Sequence, residues 1–211
     1  RDLHSFPTRR SSDLRLRIMT FDPEIAHLQV KDCTYRFYRD TRFSADKSPY
    51  KNHLGAYIDA KGKKALRGGY YLHLEPDHCL VAVGNYYLPT NILTSCRNEM
   101  MANTDDWLKR VENPEFQKYF GSPVSSSFKE PTNVSSWDQP QGFGLEKLKT
   151  ALGLSQGLAY VHYLRQKDYC AWHAVPNDFF EGDGWLDEIE RMFLAAKPMM
   201  DFMNAVIDDY E

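Results

Sequence analysis

Two apolar runs separated by a turn, "YYLHL" at 70–74 and "CLVAVGNYY" at 79–87, constrain the fold more than any other part of this chain. Both are rich in β-branched and aromatic residues, which suit a pleated surface, and "EPDH" between them supplies Pro76 and Asp77 for a tight turn. The pair predicts an antiparallel hairpin. Upstream, "CTYRFYRD" at 33–40 alternates Thr34, Arg36 and Tyr38 against Tyr35, Phe37 and Arg39, and "LGAYIDA" at 54–60 is another extended run. The Gly/Lys-rich "KGKKALRGG" after it reads as an exposed loop. Four strands with short connections and no helix between them predict a largely antiparallel sheet.

Helices follow. Pro89 opens one in which Ile92, Leu93, Cys96 and Met100 recur at helical spacing; a second runs from Asp105 to Val111, and "NPEFQKYFG" frames a third between Pro114 and Gly121. Residues 122–144, with Ser and Pro throughout and no period, read as a long connector. Leu158 to Arg165 reads as a short helix and "DYCAWHAV" at 168–175 as a further strand, on which Cys170 and His173 point to opposite faces and form no thiolate pair. Near the carboxyl end Trp185, Ile189, Met192 and Phe193, then Met199, Phe202, Met203 and Val206, make helical stripes, with Pro198 marking a break or kink. A methionine stripe is core rather than a cofactor pocket. The class is α+β, a mainly antiparallel sheet packed by helices in a single domain.

Residues 4–14, "HSFPTRRSSDL", carry no apolar period, capping pattern or signal-peptide core. They resemble one reading frame of a common sequencing adapter, which makes residues 1–14 a non-native scar and residues 15–211 the domain. Such a scar is expected to pack on nothing and to leave Ile18 and Phe21 exposed. The formal net charge of −3 argues against a general nucleic-acid coat, and no apolar run reaches the roughly 18 residues of a membrane span. Cys33, Cys79, Cys96 and Cys170 are widely spread with no C-x-x-C pair, which points to reduced thiols and a cytoplasmic location.

No phosphate loop, dinucleotide fingerprint, H-E-x-x-H or G-x-S-x-G occurs. "HLEPDHC" at 73–79 has metal-ligating residue types, and His73 and Glu75 share one strand face, yet hairpin turns collect Asp and His anyway and no recognised ligand spacing is present. Neither a metal nor a cofactor is expected.

"KDCTYRFYRDTRFSADKSPYKNHLGAYI", "GGYYLHLEP", "GNYYLP", "NPEFQKYFG", "LRQKDYCAWHAVP" and "AAKPMMDFMNAVI" together resemble a bacterial and fungal family known as domain of unknown function 2461. The pattern R-D-T-R-F-S-x-D-K-x-P-Y-K runs without a gap over 39–51. Members usually begin with a helix carrying an Arg-Glu-Trp-Phe type motif, which is absent here, and the connector keeps only fragments of a Pro/Lys-rich segment. The resemblance implies no established activity.

The residues of that pattern offer their own reading. Arg39, Arg42, Lys47 and Lys51 lie close together with Tyr50, and Asp40 and Asp46 are placed to orient them. Guanidinium forks and ammonium groups beside a phenol bind phosphate or carboxylate, so the cluster reads as a site for a small anionic ligand. The alternative is a salt-bridge lattice bracing a turn in a non-catalytic interaction domain. A pocket whose walls include Tyr50, Tyr57, Tyr70 or Tyr86 near the cations favours the first, and a flat patch the second. Single-stranded nucleic acid is a weaker option on charge grounds. Nothing assigns a protein partner or a catalytic residue.

Overall fold

A computed structural model describes residues 6–43, 45, 47–122, 141–143 and 160–210. Strand β3 (Cys79–Asn85) is buried along its whole length, and β2 (Gly69–Leu74) pairs with it in the predicted hairpin, Tyr71 opposite Ala82 and His73 opposite Leu80. The turn places Asp77 at φ 65°, a left-handed conformation that Asp tolerates better than most residues, and Asn177 accepts from its amide at 2.9 Å. With β1 (Leu54–Ile58), β4 (Gln141–Phe143) and β5 (Tyr169–Val175) the sheet has the order β1-β2-β3-β5-β4, antiparallel throughout. The fold is therefore α+β, as the strand run predicts.

One face of the sheet is packed by helices α1 (Phe6–Met19), α3 (Thr90–Ala102), α4 (Thr104–Val111), α5 (Pro114–Phe120) and α7 (Trp185–Asp208); α2 (Val30–Cys33) and α6 (Val161–Leu164) are single turns. Ile92, Leu93, Cys96 and Met100 of α3 are all buried, as their spacing requires. Asn113 caps α5 by accepting from Phe116 N at 2.8 Å, and Gly121 ends it at φ 70°, where a Cβ would be disfavoured. At the centre Trp107 is fully buried against Tyr163, Tyr169 and Phe202, with ring centroids 5.8, 5.7 and 5.2 Å away. No helix among the described residues is long and apolar enough to cross a membrane.

Three expectations are corrected. Residues 33–40 form no strand: after α2 the chain makes only isolated bridges, Thr34 with Ala56 and Tyr38 with Tyr50, and Tyr35, Phe37 and Tyr38 are all exposed. An alternating pattern with neither face buried has no packing to hold a ladder in register. Pro198 does not end its helix, because buried Met192, Phe193 and Ala196 before it and Met199, Met200 and Met203 after it dock both halves of α7 on one core. The amino-terminal segment is helical from Phe6, Leu14 and Ile18 are 1% and 0% exposed, and Phe21 meets Tyr70 edge-on at 5.9 Å. Leu14 and Ile18 stand one turn apart, so they share the face that α1 turns to α7.

Candidate functional site

Alternation along the strands gives the sheet a second face. Tyr70, Leu72, Val81, Val83, Tyr169 and Ala171 enter the helical core, which leaves Tyr71, His73, Ala82, Gly84, Cys170 and Trp172 on the other side. The register lines these up in rows, Tyr57–Tyr71–Ala82–Trp172 and Gly69–Gly84–Cys170. In the first row the small Ala82 thus stands between the rings of Tyr71 and Trp172. The result is a pocket of about 700 Å³, floored by Gly69, Ala82 and Gly84 and walled by Tyr35, Tyr57, Tyr71, Tyr86, Tyr87 and Trp172. Gly84 tolerates no side chain: its φ is 95°, and a Cβ would lie 2.1 Å from the Tyr169 carbonyl oxygen and 3.0 Å from Met199 Cε of the helical core.

Charge collects on one side of this pocket. The ammonium groups of Lys51 and Lys63 lie 5.8 and 5.6 Å from the Tyr35 ring centroid. Lys63 donates to the carbonyls of Thr34 at 2.6 Å and Lys31 at 3.1 Å, and neither lysine forms an ion pair with a carboxylate among the described residues. Arg67 also lines the pocket but is committed to structure, pairing with Asp208 at 2.6 Å, Glu24 at 2.8 Å and Asp59 at 3.4 Å. Burial, with Asp168 nearby, pushes the Cys170 thiol up to about 12, so it is a thiol and not a nucleophilic thiolate. Asn85, 2% exposed, donates to Leu66 O at 2.8 Å while its Oδ1 has no partner among the described residues.

A groove of about 590 Å³ adjoins, lined by Arg39, Asp40, Ser48, Tyr50, Lys51, Asn52 and His53. Backbone bonds from Arg39 N to Pro49 O and from Lys51 N to Phe37 O fold this segment back on itself, and the Tyr50 ring stacks on Phe37 at 5.1 Å and lies tilted against Tyr38 at 5.3 Å. Arg39 donates to Ser48 Oγ at 3.1 Å. Arg42 and Lys47 go elsewhere: Arg42 chelates Asp40 through Nε and Nη2 at 2.9 and 2.6 Å, and Lys47 donates to Thr41 O at 2.9 Å. The Arg42 guanidinium holds the Asp40 carboxyl below its usual range. Asp46 lies outside the described residues. Of the sequence-predicted cluster, Arg39, Tyr50, Lys51 and Asp40 therefore converge, and Arg42 and Lys47 do not.

Where groove and pocket meet, a polar chain runs along β2. The Glu75 carboxylate accepts from His73 Nε2 at 3.0 Å, and in that tautomer His73 Nδ1 accepts a hydrogen bond from the Tyr71 hydroxyl, 2.8 Å away. The His53 ring stacks on His73 with centroids 4.6 Å apart, and burial, reinforced by His73 and Lys51, holds its pKa below the usual imidazole value. Asn52 joins the two segments, accepting from His53 Nδ1 at 3.1 Å and donating to Glu75 Oε1. His53, His73 and Glu75 offer three ligand atoms within 4.8 Å of one another.

A family model described as "Conserved hypothetical protein (DUF2461)" matches residues 8–202. The chain belongs to this family. No curated protein and no solved structure matches. DUF2461 membership carries no assigned chemistry, so the geometry has to be read by itself. Of the four tyrosines named from the sequence as wall residues, Tyr57 and Tyr86 line the pocket and Tyr50 the groove, whereas Tyr70 is 2% exposed among the helices, donating to Asp22 at 2.9 Å. Trp172 and Lys63 went unnoticed, though the alternation of "DYCAWHAV" already sets Trp172 on the same side as Cys170. His53 was missed because it lies twenty positions from His73, and only strand pairing brings their segments together.

Proposed function

We propose that this domain binds a small ligand with a flat apolar part and an anionic group, the flat part against the tyrosines and Trp172 of the sheet-face pocket and the anion at Lys51 and Lys63. The observation that carries this reading is the pair of ammonium groups flanking the Tyr35 ring at the edge of a concave, aromatic-walled pocket of about 700 Å³. Pockets of this size and lining are where small molecules bind, with a few polar groups fixing orientation. Neither ammonium forms an ion pair with a carboxylate among the described residues, so an anion beside the Tyr35 ring meets positive charge that is not already neutralised. Arg39 extends the same positive edge into the groove.

The bracing alternative keeps a specific observation of its own. Arg42 and Asp40 are 77% and 59% exposed and satisfy each other, and Lys47 closes on its own loop. These groups are satisfied within their own exposed turn, which leaves Lys51 for the ligand.

A thermal-shift screen of aromatic carboxylates, aryl phosphates and nucleotides on the full chain tests the reading. Binding to the folded state raises the melting temperature by mass action. The expected result is protection by at least one flat anion that the uncharged analogue does not give and that Lys51→Gln with Lys63→Gln abolishes. A panel that gives no shift, or protection indifferent to both lysines, overturns it.

A further inference from the structure

The geometry points to a divalent transition-metal site formed by His53, His73 and Glu75 at the junction of groove and pocket. Two imidazoles and one carboxylate are the donor set of open zinc sites, in which three protein ligands leave a position for water or substrate. His73 and Glu75 side chains are 7% and 17% exposed, so two of the donors are already withdrawn from bulk water. Their facing atoms, His73 Nε2 and Glu75 Oε2, stand 3.0 Å apart, close to the roughly 3.3 Å edge of a tetrahedral shell with bonds near 2.0–2.1 Å. His53 lies within 4.8 Å and closes the third corner by a swing of its ring on the order of an ångström.

The atoms that would not bind the metal strengthen the case. Metal-bound histidines usually give their second nitrogen to a fixed partner, which sets the tautomer and ring orientation. Here His73 Nδ1 faces the Tyr71 hydroxyl, His53 Nδ1 faces Asn52 Oδ1, and Glu75 Oε1 accepts from Asn52 Nδ2. Every ligand residue thus has a hydrogen-bonding neighbour that can orient it. Metal uptake requires the other tautomer of His73: its one ring proton moves, through solvent, from Nε2 to Nδ1, which then donates to the Tyr71 oxygen while the Tyr71 hydroxyl proton turns to another acceptor, and Nε2 is left with its lone pair for the ion. Lys51 beside His53 opposes a cation, and the Glu75 carboxylate opposes Lys51. Nitrogen and oxygen donors without sulfur favour Zn²⁺, Co²⁺ or Ni²⁺ over a soft ion, and two imidazoles disfavour Mg²⁺ and Ca²⁺. The inference stands without any organic ligand, so it survives or fails apart from the proposal above.

The test is titration of the metal-stripped full chain with Zn²⁺ by calorimetry and with Co²⁺ by visible absorption, at neutral pH and without organic anions. The expected result is one saturable site with a Co²⁺ spectrum of low coordination number. His53→Ala, His73→Ala and Glu75→Gln should each weaken it by at least about tenfold, and Tyr71→Phe and Asn52→Ala by about 10- to 100-fold through loss of the outer contacts. Asn52 is exposed, so its variant keeps the fold and the proposal testable should a buried histidine variant not fold. His27→Ala, whose ring faces Glu24 O on the surface, should change nothing. Absence of a saturable site, affinity indifferent to Asn52 and Glu75, or a sulfur charge-transfer band reporting a cysteine instead would overturn the inference.

Discussion

Leu14 and Arg42 show how poorly local character alone assigns weight to a residue. Leu14 ends a stretch that reads as foreign to the fold, yet it is 1% exposed in the common core. Leu14→Ala should destabilise the protein by about 2 to 5 kcal/mol in urea unfolding, the range for emptying a buried leucine site. An unchanged midpoint would mean that α1 does not dock in solution. Arg42 stands in a strongly charged stretch of the sequence, but its pairing with Asp40 is open to water and screened. Arg42→Gln should leave the unfolding midpoint essentially unchanged, and it should leave ligand protection unchanged too, because Arg42 does not line the groove. A marked loss of either would return Arg42 to the site. Residue type was legible at both positions, while burial, which decides their roles, comes from partners distant in sequence.

Elements whose pattern and environment agree were legible. The hairpin of β2 and β3, the starts and stops of α3 and α5, and β5 follow from alternation, Pro and Gly placement and capping. Residues 33–40 alternate equally well but bury neither side, and α7 overrides its internal proline through packing that no local rule counts. The far end of α7 supplies a pH test. Burial of Asp208 works to raise its pKa, but the bonds from Lys61 and Arg67 outweigh it and the net direction is down. A carboxyl with a lowered folded pKa contributes stability that is complete above its unfolded value of about 3.9 and is lost as pH falls through the folded one. Asp208→Asn should therefore flatten the acid limb of the stability curve below about pH 4, followed by urea unfolding at a series of pH values. An acid limb as steep as the parent's would show that the Lys61 and Arg67 contacts to the carboxylate add nothing.

At the scale of the molecule the sheet has a packed helical face and a hollow face to which we assign recognition as a proposal, and neighbouring residues of β3 make that assignment testable. Val81 is 0% exposed in the helical core, whereas Ala82, the next residue, floors the pocket between Tyr71 and Trp172. This division was only half visible beforehand, since a strand buried on both sides reads as one continuous apolar run and does not show which face is hollow. Val81→Ala removes core volume and should cost about 1.5 to 3 kcal/mol while leaving the pocket as it is. Ala82→Leu adds side chain to open pocket volume, so stability should stay within about 1 kcal/mol of the parent. Recognition should respond in the opposite order. With an anionic naphthalene sulfonate dye as a flat probe, Ala82→Leu should lose most of the fluorescence gain seen with the native parent, and Val81→Ala should retain it per folded molecule. Equal dye binding by both variants would place the probe elsewhere and remove the sheet face as the recognition surface. A large loss of stability in Ala82→Leu would show that the hollow is packed core after all.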